Sequence, residues 1–145
     1  MKKKTQCHFC GSKLDRKDVD GRNRLFCNEC NVPIYENPLP ASAAVVLKGR
    51  QVLLVKRAVE PELGKWCLPG GFLELDETPE QGCLRELKEE TGLTGNNLIL
   101  RGVYRSKNPF YTAVALIGFQ VEQVEGEAVA GDDCDDIRYY DIDQV

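Results

Sequence analysis

Short apolar runs separated by turn-forming residues predict a β-rich chain. Aliphatic and β-branched runs are typical of strands, and the Lys48-Gly49-Arg50 segment between the first two runs is typical of a turn. The Leu68-Pro69-Gly70-Gly71 segment interrupts the pattern and predicts a loop. The predicted strands cover residues 41–47, 51–56, 98–105, 111–121 and 137–140.

One segment, residues 78–91, has the periodicity and the end signals of an α-helix. Thr78 is the predicted N-cap, Pro79 suits the first helical position, and Gln81 completes a capping box. Gly92 supplies the left-handed residue that commonly ends a helix. At about 100° per residue, the small and apolar side chains form one buried stripe, made of Cys83, Leu84, Leu87 and Thr91.

Three glutamates lie beside that stripe on one flank of the predicted helix. Glu86 and Glu89 are three residues apart, and Glu86 and Glu90 are four apart, so their side chains converge. Like charges at these spacings cost roughly 0.2–0.5 kcal/mol per pair, and acids near a helix C-terminus cost about 0.3–1 kcal/mol each. One interpretation is a solvated acidic face partly neutralised by Arg85 and Lys88. The other is a cation site.

The loop before the helix favours the cation site. Gly70 and Gly71 have no side chains and let the backbone approach a ligand closely. Glu74, Asp76 and Glu77 add further acids just ahead of the helix. Oxygen ligands in this number suit Mg²⁺ or Mn²⁺, which also bind substrate phosphates.

Length and composition describe a soluble globular chain with room for one domain, or for a smaller domain and a mini-domain. The 145 residues are 42% hydrophobic and 29% charged. No run reaches the ~18 apolar residues of a membrane span, and the N-terminus lacks the apolar core of a secretory signal. We therefore expect a cytoplasmic protein that has no membrane partner.

Charge is distributed unevenly along the chain. Residues 1–40 carry eight Lys or Arg and five Asp or Glu, whereas residues 125–145 carry one and eight. The basic excess at the N-terminus is too small to predict binding to a nucleic-acid duplex. Nucleic acid is therefore not an expected partner.

Four of the seven cysteines have the spacing of a zinc ribbon. Cys7 and Cys10 form one Cys-x2-Cys pair, Cys27 and Cys30 form the second, and sixteen residues separate the pairs. Four protein ligands leave no open coordination position, which indicates a structural Zn²⁺. The alternative is four scattered reduced thiols. The remaining cysteines, which lack such spacing, are predicted core or surface thiols: Cys67, Cys83 and Cys134.

The single histidine limits the kinds of catalytic chemistry that the chain can perform. His8 is the only histidine, so a Ser-His or Cys-His nucleophilic pair is not expected, and carboxylates with a hard metal remain as the catalytic groups.

Three prolines within residues 31–40 predict a stiff connection between two domains, with a boundary near Asn37. The predicted domains are a zinc ribbon over residues 1–36 and a second domain over residues 37–145.

The helix and its loop resemble the signature of the Nudix family. Gly71 is followed after five residues by Glu77 and, after seven more, by Arg85-Glu86-Leu87-Lys88-Glu89-Glu90-Thr91-Gly92-Leu93. This matches every fixed position of the Nudix box, and the similarity extends over about residues 40–141. A four-cysteine ribbon ahead of such a domain is similar to the subgroup that includes NADH pyrophosphatases and ADP-ribose pyrophosphatase-like enzymes.

The resemblance implies a fold and a reaction. The fold is α+β, with a mixed sheet packed against helices as an αβα sandwich. The reaction is Mg²⁺- or Mn²⁺-dependent hydrolysis of the diphosphate linkage of a nucleoside diphosphate that is joined to another moiety. The favoured substrates are an ADP-ribose-like compound or a dinucleotide. By the same resemblance Glu86 and Glu90 are the main metal ligands, Glu89 is a further ligand or a water-bridged partner, and the Gly70 carbonyl is an additional ligand.

The resemblance also assigns positioning and substrate roles. Arg85 belongs to the catalytic group with the three glutamates and pairs with Glu77 to hold the loop against the helix, while Gly71 and Gly92 are structural positions of the box. Outside the box, Glu122 is similar to the extra carboxylate that completes such sites, with an ordinary strand-end acid as the alternative. Apart from the resemblance, Gly70 and Gly71 are candidates for backbone contact with the substrate. Arg57 is a candidate bidentate donor to a phosphate, with an ordinary solvated residue of the strand as the preferred interpretation.

Two departures from the family pattern limit these expectations. Residues 104–111 do not match the tag of NADH pyrophosphatases, so NADH is not favoured as the substrate. The chain ends at Val145, where the family usually continues into a second helix, so we expect either a shortened domain or a partner that covers the sheet, and a homodimer. Three aromatic residues are candidates for stacking on a nucleobase, with a core role as the alternative: Trp66, Tyr139 and Tyr140.

Two hypotheses from different classes remain. The first is a Nudix diphosphatase. The second is a binding module, in which the ribbon holds RNA or protein and the second domain senses a nucleotide without hydrolysing it. The complete set of Glu86, Glu89 and Glu90 favours the enzyme, because a sensor does not need three mutually repelling carboxylates.

Overall fold

The computed structural model describes residues 4–106 and 113–145, and the chain divides after Pro38 into two compact units. The N-terminal unit contains an antiparallel sheet of β1 (Asp15–Val19), β2 (Arg22–Cys27) and β3 (Val32–Ile34). Its small core consists of Leu14, Leu25 and Ile34 with the buried cysteines Cys7 and Cys27.

The C-terminal unit contains two four-stranded sheets and one α-helix among its described residues. One sheet has the order β8-β4-β10-β9, and the other joins β11, β6 and β5, with β7 also paired to β6. β4 and β10 run parallel and the other pairs are antiparallel, which makes the first sheet mixed. The elements are β4 (Leu39–Val45), β5 (Leu47–Lys48), β6 (Gln51–Arg57), β7 (Trp66–Cys67), β8 (Gly70–Phe72), α1 (Pro79–Thr91), β9 (Thr94–Ser106), β10 (Val114–Glu125), β11 (Cys134–Asp141) and a 3₁₀ turn (Ile142–Gln144).

The α+β class and the five predicted strands are confirmed, and the differences lie mainly at strand ends. β9 begins four residues before the predicted start, and residues 111 and 112 of the fourth predicted strand lie outside the described residues. The sequence did not predict β5, β7 and β8, because a strand of two or three residues is too short to show a hydrophobic periodicity. It also did not predict the strands of the N-terminal unit, because polar strands lack the alternation of apolar and polar residues. The described part of the chain has one α-helix where the αβα sandwich implied helices on two sides. None of its helices is long and apolar enough to span a membrane.

The predicted caps of α1 are present. The Thr78 hydroxyl accepts from the Gln81 backbone N–H at 3.3 Å, and the Gln81 side chain accepts from the Thr78 N–H at 2.8 Å. Gly92 has φ = 70° and donates its N–H to the Lys88 carbonyl at 2.9 Å. Both ends of the helix are therefore fixed by local sequence.

The core of the C-terminal unit holds α1 against both sheets. Cys83 and Leu87 from the helix are fully buried, and Leu84 packs at their edge. This confirms the predicted buried stripe of α1. The flank of α1 that carries the glutamates lies beside β8. The sheets and the segment after the helix supply the other buried members of the cluster: Ala44, Val46, Leu53, Leu93, Phe119 and Val121.

Gly82 packs the loop before the helix closely against α1, and Gly82→Ala should destabilise the protein. A Cβ at this position would lie 2.5 Å from Leu73 Cδ2 and 2.7 Å from Glu77 Oε1. Ala is favoured over Gly in an exposed helix by roughly 0.5–1 kcal/mol, but overpacking costs about 1–3 kcal/mol. We expect a net loss of about 1–2 kcal/mol in urea unfolding. Glu80→Ala, at an exposed position of the same helix, should stay within about 0.5 kcal/mol, and a stabilised Gly82→Ala would contradict this packing.

Candidate functional site

Three glutamates on one flank of α1 differ in exposure. Glu90 is only 3% exposed, the Glu86 side chain is 14% exposed, and the Glu89 side chain is 46% exposed. Burial raises the pKa of Glu86, and the nearby Arg85 guanidinium opposes that rise. The structure thus brings the three predicted carboxylates to one place and buries two of them.

Arg85 contacts three acids of the loop and the helix, which are Glu77, Glu86 and Glu89. Its Nε and Nη2 donate to the two oxygens of Glu77 at 3.0 and 2.7 Å, which forms the ion pair that the resemblance implied. Its Nη1 donates to Glu86 at 2.8 Å and to Glu89 at 2.9 Å, and Nη2 also donates to the Phe72 carbonyl at 3.1 Å. Hydrogen bonds from Arg85 lower the pKa of Glu77 to about 2. Arg85 therefore fastens the loop to the helix and orients two glutamates.

Glu90 is a buried carboxylate that receives one backbone hydrogen bond. The Gly70 N–H donates to Glu90 Oε2 at 2.9 Å. Burial raises the pKa of Glu90 to about 7, the negative charges of Glu86 and Asp133 add to the rise, and the Gly70 N–H opposes it. The negative charge here is thus poorly compensated by the protein itself.

Gly70 and Gly71 of β8 allow the backbone to touch both the helix and β4. A Cβ on Gly71 would lie 2.3 Å from Glu86 Oε1, and a Cβ on Gly70 would lie 2.2 Å from the Ser42 carbonyl oxygen. Neither position has space for a side chain. The two residues predicted to contact a ligand with their backbone therefore lie directly against the carboxylate cluster.

Asp133 joins this cluster, and reasoning from the sequence missed it. One ligand atom each from Glu90, Asp133 and Cys134 lie within 4.8 Å of one another. The Gly131 N–H donates to the Glu90 carbonyl at 3.1 Å, and β11 pairs with β6 from Cys134 onward, which brings the preceding loop to the helix. The acidic run at residues 132–136 was the available signal, but it entered only the count of charges.

Glu122 is the one predicted ligand that the structure does not bring to the cluster. Its carboxylate accepts from Asn97 Nδ2 at 2.6 Å, and it lines a separate cavity. Gly118 on β10 is level with Ala43, which pairs with Gly70. Glu122 lies four residues further along β10, about 13 Å from that level at ~3.3 Å per residue.

A cavity of about 630 Å³ opens beside the carboxylates. Gly70, Gly71 and Asp133 form part of its wall, so the cavity and the cluster are continuous. Arg57 also lines it and donates from Nε to the Pro61 carbonyl at 2.8 Å. The other side chains that line it are mostly apolar, among them Val59, Trp66, Leu68, Phe72, Val114 and Leu116.

The aromatic candidates for base stacking are held by other side chains. The Trp66 ring packs edge-on against Tyr140 with centroids 5.1 Å apart, and the Arg138 guanidinium lies 5.4 Å from the Trp66 centroid. Tyr139 packs on the edge of the core. Trp66 alone of the three lines the cavity.

The four cysteines of the N-terminal unit converge on one point. Sulfur atoms of Cys7, Cys10, Cys27 and Cys30 lie within 4.8 Å of one another, and all four are free thiols. Hydrogen bonds from Ser12 lower the pKa of Cys10 to about 6. Four thiols in this arrangement fit a tetrahedral zinc ion, which is compatible with the predicted ribbon.

Comparison with known proteins agrees with this geometry. The family model described as NUDIX domain matches residues 38–145. The ADP-ribose pyrophosphatase of Methanocaldococcus jannaschii is 36% identical over 114 residues, which cover 77% of this chain and 67% of that protein. The NAD-capped RNA hydrolase NudC of Pseudomonas aeruginosa is 30% identical over 140 residues, which cover 96% of this chain and 48% of that protein.

A solved structure extends the similarity to nearly the whole chain. The crystal structure of a NUDIX hydrolase from Nitrosomonas europaea matches with a TM-score of 0.71 and 27% identity, covering 98% of this chain and 80% of the other. The chain itself spans about half the length of the NudC relative and two thirds of the archaeal one. On the family match, the relatives and the box geometry together, the chain belongs to the Nudix hydrolase family.

Proposed function

We propose that this chain hydrolyses the diphosphate linkage of a nucleoside diphosphate joined to a second moiety, with Mg²⁺ or Mn²⁺ as the catalytic cofactor. The observation that carries the proposal is the cluster of the buried Glu90 with the partly buried Asp133, which reaches the cavity of about 630 Å³ through Asp133. ADP-ribose-like compounds and dinucleotides are the first candidates. The names of the two relatives, an ADP-ribose pyrophosphatase and an NAD-capped RNA hydrolase, support that choice.

The donor set of the cluster fits a hard divalent cation. Glu86, Glu90 and Asp133 offer carboxylate oxygens, which Mg²⁺ and Mn²⁺ prefer. Burial raises the pKa of Glu90, and the negative charges of Glu86 and Asp133 add to that rise, so a bound cation would stabilise the ionised carboxylate. Burial raises the pKa of Cys134 well above its usual range, so the thiol stays protonated and is a poor ligand for such an ion.

We assign the residues as follows. Glu86 and Glu90 would hold the cation, with Glu89 and the Gly70 carbonyl as further ligands, and Asp133 takes the place outside the box that the resemblance gave to Glu122. When bound, such a cation neutralises the diphosphate and makes a bound water more acidic. Asp133 belongs to both the cluster and the cavity wall, so we propose it as the cation ligand that lies next to the substrate. Arg85 is a positioning residue, because its four hydrogen bonds to acids orient Glu86 and Glu89.

The cavity would hold the nucleoside side of the substrate. Its volume lies in the range of about 300–1,000 Å³ that is usual for small-molecule sites. Arg57 lines the cavity and would offer its guanidinium to a phosphate, while its Nε donates to the Pro61 carbonyl. The contacts of Trp66 with Tyr140 and Arg138 favour a wall-forming role over stacking on a base.

The homodimer stays a prediction. β9 is one of the two edge strands of its sheet, and Leu100, Val103 and Tyr104 on it are more than half exposed. Unpaired edges with apolar side chains are the usual places for pairing with a second chain. β9 is therefore the surface that we assign to the predicted dimer.

A phosphate-release screen tests the proposed reaction. Purified protein with Mg²⁺ or Mn²⁺ is offered ADP-ribose, NADH, FAD, diadenosine polyphosphates and nucleotide sugars, and a phosphatase then releases phosphate from the monoester products. We expect turnover of ADP-ribose or a dinucleotide that disappears when the divalent metal is omitted. If nucleotides bind but none of these compounds is hydrolysed, the non-catalytic sensor is correct and the enzyme proposal fails.

A further inference from the structure

The sheet of the N-terminal unit gathers cations on one face. In the β1–β2 pair Lys17 lies opposite Arg24, and Val19 lies opposite Arg22. Residues directly opposite each other in an antiparallel pair share a face, so the three cations point the same way. The opposite face carries Leu25, which pairs with Ile34 in the core. We call the face of Lys17, Arg22 and Arg24 the basic face.

Two aromatic rings lie on the basic face under these cations. Lys17 Nζ is 4.1 Å from the centroid of Phe26, and the Arg24 guanidinium carbon is 5.0 Å from the centroid of Tyr35. Tyr35 is 51% exposed. Cation–π contacts hold the side chains in place without neutralising their charge.

Acids of the described part of the chain do not neutralise the positive charge of the basic face. Within residues 4–106 and 113–145, none of Lys17, Arg22 and Arg24 forms an ion pair. Arg24 Nε is buried and has no hydrogen-bond partner in that part of the chain. Asp15, opposite Phe26, is the acid of this face, and its carboxylate accepts from the Asn28 side chain. The face therefore keeps a net positive charge.

We propose that the basic face binds single-stranded nucleic acid. Cations that are free of acidic partners suit phosphates, and an exposed tyrosine beside a planar guanidinium suits stacking with unpaired bases. An acidic peptide would use the charges of Lys17, Arg22 and Arg24 but leave Tyr35 and Phe26 without a partner. The net charge of residues 1–40 is too small to indicate nucleic acid, and RNA on the ribbon was only the second hypothesis; pairing of β1 with β2 places the three cations on the same face.

Fluorescence anisotropy with the full chain tests this binding. The probe is a labelled oligouridine of about 15 nucleotides with a 5′-hydroxyl, which has no diphosphate to hydrolyse, in buffer without Mg²⁺ or Mn²⁺. The test variant combines Lys17→Gln, Arg22→Gln and Arg24→Gln. The control combines Lys4→Gln, Lys13→Gln and Arg16→Gln, which removes the same charge from residues beside Leu25.

We expect the test variant to bind at least ~10-fold more weakly and the control to change less than ~3-fold. Each phosphate contact contributes about 0.7 to the slope of log K against log salt, so the slope should fall by about 2 in the test variant and not in the control. Zinc content and circular dichroism check that both variants are folded. If the triple variant does not fold, Arg22→Gln alone, at an exposed position of β2, should lower the slope by about 0.7.

Three results would overturn the proposal. The first is wild-type protein that shows no binding at low salt up to ~100 μM, the weak end of nonspecific affinities. The second is an equal loss in both triple variants, which would mean that only net charge matters. The third is polyglutamate that displaces the oligouridine as well as unlabelled oligouridine does, which would assign the face to an acidic polypeptide.

Discussion

Glu90→Gln should lower kcat on the preferred substrate by at least ~10²-fold, since general base and metal effects are of that size. The amide keeps the shape of the side chain and can still accept from the Gly70 N–H, but it removes one charge from the group formed with Glu86 and Asp133. The same loss of repulsion should leave the variant at least as stable as the wild type when no divalent metal is present. A lower turnover with an unchanged or higher Tm separates a role in the site from a folding defect.

Three matched amide variants locate this effect. Glu80→Gln, in the exposed first turn of the same helix, should change kcat less than ~3-fold. Asp133→Asn should approach the loss seen for Glu90→Gln, and Glu122→Gln should resemble Glu80→Gln. Steady-state kinetics over a Mg²⁺ titration check all four variants. Turnover of Glu90→Gln near that of the wild type would remove its assigned role, and a large loss in Glu122→Gln would restore the original expectation.

The parts of the site that sequence could predict are those encoded locally. The capping box of Thr78 and Gln81 and the stop at Gly92 depend on residues a few positions apart, so the helix and its glutamate flank followed directly. The loop glycines were recognised by the box pattern, and their contacts with Glu86 and Ser42 explain why the pattern requires them. Local signals of this kind need no knowledge of how the chain folds back on itself.

The parts that could not be predicted depend on strand pairing over long sequence distances. Asp133 reaches Glu90 because β11 pairs with β6 across nearly eighty residues, and nothing near Asp133 in sequence indicates that. Glu122 has the right residue type and directly follows the predicted strand, but β10 continues to Glu125, and the distance of Glu122 from Gly70 is set by the register of β10 on β4. The basic face also depends on strand pairing. Alternate residues of β1 and β2 point to opposite faces, so the cations collect on one face, which the overall composition does not reveal. Register therefore decides which acids and cations meet.

Cys27→Ser should abolish zinc binding and unfold the N-terminal unit. Cys27 is fully buried, and its sulfur lies 3.5 Å from that of Cys10 at the centre of the four-thiol cluster. Apparent binding free energies of structural zinc are about 10–16 kcal/mol, and a unit of this size has too small a core to fold without such support. The core of Leu14, Leu25 and Ile34 cannot replace the ion.

Metal analysis and amide NMR check this expectation together. Wild-type protein purified without chelators should contain one zinc per chain, and Cys27→Ser should contain none. The amide signals of β1 to β3 should lose their dispersion while those of the C-terminal unit remain, because its core includes no residue of the ribbon cluster. Cys67→Ser, which removes a thiol outside the cluster, should keep the zinc and the full set of dispersed signals. A wild-type chain without zinc, or a Cys27→Ser variant with unchanged β1–β3 signals, would mean that the four thiols are not a structural metal site.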